Sequence, residues 1–109
     1  MDAPSPLLAG TLDLLILKTL TIGPLHGYAI AQHIHRLSNA ALRVEEGSLY
    51  PALYRMERDG WVKADWGTSE LGRNAKFYSI TDKGRRRLRE ETKEFASFVA
   101  AVSPLLLPS

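Results

Sequence analysis

The sequence contains no cysteine, which excludes disulfide bridges, zinc–thiolate centres and cysteine nucleophiles. It also lacks an apolar run that could span a bilayer, because Leu12 to Leu20 carries Asp13 and Lys18 and is far shorter than the required stretch of about 20 residues. The chain opens Met1-Asp2-Ala3-Pro4-Ser5-Pro6, without the basic lead of a secretory signal. A cytoplasmic protein with no membrane partner is the simplest inference. Glycine is not arranged in a phosphate-cradling loop, and no nucleophile stands at an interpretable distance from a base, so no enzymatic site is expected. Three histidines invite a metal reading, but His33 and His35 point apart on a helix and no carboxylate accompanies them. The pattern therefore predicts no metal and no cofactor, with one packed or hydrogen-bonded histidine at a helix start and two exposed ones.

Overall net charge is also small, +2 over 109 residues, yet it is unevenly spread. Residues 1–60 hold five Lys/Arg against six Asp/Glu, whereas residues 73–93 hold eight Lys/Arg against three Asp/Glu. A local basic excess of this kind suits an anionic partner such as double-stranded DNA. With 45% hydrophobic residues, a chain of this length makes one small globular domain with a modest core.

The most informative stretch runs from Glu45 to Trp61. It reads as one short helix, with Ser48 as N-cap, Pro51 in the first turn and Gly60 in the left-handed position that ends it. Leu49, Leu53 and Met56 recur at helical spacing and are predicted to be buried. Ser48, Tyr50, Pro51, Tyr54 and Arg55 are assigned to a face where hydroxyl and guanidinium groups meet phosphates and base edges. Glu45 and Glu46 sit awkwardly beside a duplex; they suit either the positive end of the helix or pairing with a basic side chain.

Before this stretch the periodicity gives two helices. The first starts at an N-cap Thr11 and carries Leu12, Leu15, Ile16 and Leu20 on one face; its breadth of apolar surface calls for a second covering element, such as another subunit. The second runs from His26 to Leu37, with Ile30, Ile34 and Leu37 inward. After it, residues 61–66 and 75–80 read as an antiparallel hairpin whose polar tip brings Arg73 and Lys76 toward flanking backbone or a minor groove. A last helix is capped by Thr81 and expected to stop near Ser103, before Pro104. Its stripe of Leu88, Thr92, Phe95, Val99 and Val102 is the seam of a helix seeking a partner helix, which predicts a homodimer.

The order of elements is that of a mostly α protein with a small β-hairpin: a winged helix-turn-helix with a long C-terminal dimerisation helix. It divides into an N-terminal arm (1–10), a winged DNA-binding domain (11–81) and a dimerisation helix with its tail (82–109). At three places the sequence resembles the PadR family of bacterial transcriptional regulators, in its short subfamily with a single C-terminal helix. These are His26-Gly27-Tyr28-Ala29-Ile30, then Gly47-Ser48-Leu49-Tyr50-Pro51-Ala52-Leu53, and finally Arg73 with Lys76-Phe77-Tyr78-Ser79-Ile80-Thr81-Asp82-Lys83-Gly84-Arg85. The resemblance implies a homodimeric repressor that reads a palindromic operator and releases it on binding a small hydrophobic or phenolic effector. Phe95 and Phe98 are the candidates for lining an effector pocket. The competing reading keeps the winged fold as a dimeric ligand-binding or protein-interaction module that does not read DNA; Glu45, Glu46, Glu57 and Asp59 favour it.

Overall fold

The structure, a computed structural model, describes residues 6–107. Helix α1 (Pro6–Leu20) is followed by a two-residue strand β1 (Leu25–His26), helices α2 (Gly27–Leu37) and α3 (Glu46–Arg58), strands β2 (Val62–Thr68) and β3 (Asn74–Ile80), and helix α4 (Asp82–Leu106). Residues 1–5 of the expected arm lie outside the described residues. From Pro6 onward the arm is the first turns of α1, so Thr11 lies within the helix instead of capping it. Proline at the first helical position lacks only an N–H that would have no intrahelical partner.

The three helices before the wing enclose the core. Ile16, Leu17 and Leu20 of α1, Ile30 and Ile34 of α2, and Leu49, Leu53 and Met56 of α3 are buried together with Val62, Tyr78 and Ile80 of the sheet. Each full burial of such a side chain stabilises by about 1.5–3 kcal/mol relative to exposure. Leu37, expected inward, is 71% exposed: α2 ends there, and the chain turns away through Asn39 and Ala40, both left-handed with φ of 54° and 65°. The returning segment restores apolar cover through Leu42 and Val44, which pack on the core.

The expected two-stranded hairpin is a three-stranded antiparallel sheet in the order β1-β3-β2. Val62 faces Ile80 and Thr68 faces Asn74, which sets the register of the wing. β1 pairs Leu25 with Tyr78 and His26 with Phe77. A strand of two residues has no periodicity to reveal it, yet it fastens the start of α2 to the wing. The Asp82 start of α4 matches expectation: Thr81 Oγ1 accepts a 3.0 Å bond from the Gly84 amide and donates to the Gly60 carbonyl at 2.7 Å. Its end does not, since α4 continues through Pro104 to Leu106. Proline here forfeits one bond, to the carbonyl four residues back, within a last turn that is about to end anyway. No helix among the described residues is long and apolar enough to cross a membrane.

Candidate nucleic-acid interface

Helix α3 is built to bury one side and offer the other. Leu49, Ala52, Leu53 and Met56 are buried, while Gly47, Tyr50, Pro51, Tyr54 and Arg58, at spacings of three and four, are exposed. Helical hydrogen bonding begins at Glu45, whose carbonyl accepts from the amides of Ser48 (3.0 Å) and Leu49 (2.9 Å). Ser48 is therefore the third helical residue and not the N-cap; Glu45 holds that place without a side-chain capping bond. Pro51 lies inside the helix rather than in its first turn, and it leaves the Gly47 carbonyl without its usual partner. Glu46 in the first turn complements the helix dipole, which gives at least one of the two awkward acids a local role. The far end closes as expected at Gly60, with φ of 83°.

The two flanks of α3 differ. On the α2 side, Tyr50, Gly47 and Glu46 border an open cleft of about 660 Å³, of mixed polarity, with Tyr28, Gln32 and His35 of α2 and Arg43 of the connecting turn. Tyr28 and Tyr50 are 62% and 44% exposed. Tyr28, Gln32, His35 and Arg43 were absent from the sequence-based site. The spacing of Tyr28, Gln32 and His35, four and three residues, opposite buried Ile30 and Ile34, is the signal that marks them as one outward face. Gly27 lies directly under the Tyr50 ring: a Cβ there would stand 2.6 Å from its hydroxyl oxygen. The histidine-glycine-tyrosine and glycine-serine-leucine-tyrosine motifs thus meet in space as one surface.

On the α1 side, Ser48, Pro51 and Arg55 line a different, apolar groove with Leu12, Leu15, Leu42 and Val44. Arg55 does not join the outward face assigned to it. It donates a two-pronged pair of bonds to Asp13 of α1, at 2.7 and 2.8 Å, and its guanidinium pKa is raised first by that bond. The fork-to-fork geometry fixes the angle between α1 and α3. Asp13→Ala is expected to lower stability by about 1 kcal/mol, toward the exposed-pair range because the Arg55 side chain is 40% accessible. Denaturant unfolding of Asp13→Ala, Arg55→Ala and the double variant measures the coupling, and a value near zero would mean that the pair does not hold α1 to α3.

Lys76 is similarly engaged, 3.5 Å from Glu57 of α3 and 6.0 Å from the Tyr78 ring centre. Glu57 thereby latches the wing to α3, and Asp59 contacts Arg58 at 3.3 Å, so both acids have structural partners. Arg73 is exposed at the wing tip. Below that tip, His26 Nδ1 accepts from the Ala29 amide at 3.2 Å, so Nε2 carries the proton and donates to Glu70 at 2.9 Å. This bond holds the Glu70 carboxyl below its ordinary pKa. His26 is buried and hydrogen-bonded at the helix start, whereas His33 and His35 are half-buried rather than fully exposed.

On α4, Leu88 packs on its own core instead of lying on a free seam, and Val102 is partly covered. Thr92, Phe95 and Val99 are exposed. Phe95 and Phe98 border a groove of about 210 Å³ with Gly10, Thr11 and Leu14 of α1 and the acids Glu91 and Glu94.

Three helices, a sheet-anchored wing and an outward aromatic face on the third helix define a winged helix-turn-helix transcriptional regulator. Residues 16–90 match the PadR-like family of transcriptional regulators, and the chain belongs to that family. It is 33% identical over 92 residues to an uncharacterised protein of Lysinibacillus sphaericus, covering 84% of both chains. A transcriptional regulator from Clostridium thermocellum superposes with a TM-score of 0.85 at 25% identity, over 94% of this chain and 99% of that one. A PadR-like transcriptional regulator from Bacillus cereus does so with a TM-score of 0.79 at 30% identity, over 96% and 100% of the two chains. The family consists of regulators and not enzymes.

Proposed function

We propose that this protein is a cytoplasmic repressor that binds a palindromic operator as a homodimer and is released by a small hydrophobic or phenolic effector. The observation that carries the reading is the cleft shared by Tyr28, Gln32 and His35 on α2 with Tyr50 on α3, beside which Pro51 and Tyr54 of α3 are also exposed. Its hydroxyl, amide and imidazole groups match phosphate oxygens and major-groove base edges, and Arg43 adds a cation at the rim. Ser48 serves at the margin of this face, and Arg73 reaches flanking backbone or minor groove from the wing tip. Lys76 contributes charge while held by Glu57, and Arg55 is reassigned to positioning α3.

Two copies related by a two-fold axis would present two recognition helices to successive major grooves. The exposed positions Thr92, Phe95 and Val99 of α4 belong to the dimer seam, with Val102 at its edge, and Leu88 anchors the helix to its own domain. Phe95 and Phe98, facing α1 across their groove, are the proposed effector contacts. The experiment is selection of protein-bound fragments from genomic DNA followed by a shift assay on the enriched site. Recovery of an inverted repeat, bound saturably against competitor DNA and released by some aromatic or phenolic compounds, supports the proposal. Enrichment of no sequence favours the interaction-module reading.

A further inference from the structure

The wing tip closes on itself. The Ser69 amide donates to the Arg73 carbonyl at 2.8 Å and the Gly72 amide to the Ser69 carbonyl at 2.9 Å, while Leu71 at the apex is 73% exposed and packs on no core. These bonds give the turn a shape, but a turn at the end of two strands is free to move relative to the helices unless something ties it down. Glu70 supplies the tie. Its carboxylate accepts at 2.9 Å from Nε2 of His26, 44 positions earlier in the chain.

His26 is a rigid anchor for that bond. It pairs with Phe77 in the sheet, its Nδ1 accepts from the Ala29 amide in the first turn of α2, and its buried ring meets the Phe77 ring edge-on with centres 5.4 Å apart. The next residue is Gly27, over which the Tyr50 ring lies. Two consecutive residues at the start of α2 therefore seat both elements turned toward DNA. His26 takes the wing tip and Gly27 takes the recognition helix.

We propose that Glu70 is a positioning residue for DNA recognition: through His26 it fixes the wing tip against the start of α2, so that Arg73 meets flanking backbone or minor groove in register with Tyr50 in the major groove. The proposal rests on the DNA-reading function and deepens it. A carboxylate near a duplex repels phosphate, but the tie orders Arg73 before DNA arrives, which removes part of the entropic cost of binding. The charge itself is dispensable, because a neutral carbonyl oxygen at the same place accepts from His26 as well.

Glu70→Gln and Glu70→Ala separate positioning from charge, since both lose the charge and only the second loses the acceptor. Affinity of Glu70→Ala for the selected inverted repeat is expected to fall about three- to fivefold. Glu70→Gln should at least match the unaltered protein, and Glu70→Ala/Arg73→Ala should bind no worse than Arg73→Ala. With the Glu70 side chain 77% exposed, thermal midpoints should not move. A nitroxide on Leu71→Cys, the sole cysteine of that variant, reports the tip without DNA: its spectral lines should narrow in the Glu70→Ala background and not in the Glu70→Gln background. Equal gains in affinity for both variants would assign Glu70 to charge repulsion alone and overturn the proposal. So would losses additive with Arg73→Ala, a midpoint that falls with affinity, or unchanged nitroxide lines, each leaving DNA reading intact. No saturable binding of any duplex by the unaltered protein would overturn both.

Discussion

Gly84→Ala is expected to destabilise the protein by about 2 kcal/mol or more, although alanine is the better helix former by about 1 kcal/mol. Gly84 is buried where the first turn of α4 meets the Trp61 backbone and the end of β3, and a Cβ would fall on the carbonyl oxygen of Trp61 and 2.9 Å from the Ile80 side chain. The carbonyl cannot yield easily. It already accepts from the Thr81 amide at 3.1 Å, and it lies 3.1 Å from the Thr81 hydroxyl oxygen that caps α4. Moving it would disturb the cap, the turn after Gly60 and the register of Val62 against Ile80 together. For a domain of this size the loss corresponds to a melting temperature lower by about 10 °C. Thermal unfolding at fixed protein concentration checks this, and an unchanged or raised midpoint would mean that helix propensity alone governs the position.

Gly27→Ala is expected to act on DNA recognition with little effect on folding. The added methyl would meet the hydroxyl end of Tyr50 at 2.6 Å and its ring carbons at 2.8 Å. Unlike a backbone carbonyl, a ring that is 44% exposed can swing outward. The fold survives, but the ring leaves the α2 start on which it rests, and its hydroxyl is displaced from the recognition surface. Specific operator affinity should fall about tenfold, equivalent to about 1.4 kcal/mol, while non-specific binding changes little because phosphate neutralisation elsewhere is untouched. Tyr50→Ala should produce a loss of similar size, and the double variant should be no worse than either single one. Additive losses would show that Gly27 and Tyr50 act separately.

These two glycines mark what was and was not legible in the sequence. Element order, the wing strands and the Thr81 cap follow from local periodicity and capping chemistry, which depend on residues a few positions apart. Each of the two motifs containing Gly27 and Tyr50 was visible as a motif, but their contact depends on how α2 crosses α3. Arg55 illustrates the same limit: its exposed-looking spacing gave no hint of Asp13, 42 positions earlier. Ser48 failed as a cap because Glu45, an uncommon N-cap residue, begins the hydrogen bonding. Pro104 failed as a stop because a proline near a helix end forfeits only one bond. The acids that seemed to argue against DNA were partly explained once Glu57 was seen to reach Lys76 across to the wing.

The outward face of α2 and α3 is proposed to read a specific duplex. The most direct measurement of this is the salt dependence of binding to the selected inverted repeat, for the unaltered protein and Tyr50→Ala, beside a scrambled duplex of equal length. A saturable complex is expected, preferred over the scrambled duplex by at least about a thousandfold and weakening linearly in log–log form with salt. Tyr50→Ala is further expected to reduce the preference far more than the slope. Equal affinity for both duplexes at every salt concentration, or a preference untouched by Tyr50→Ala, would contradict that role of the face.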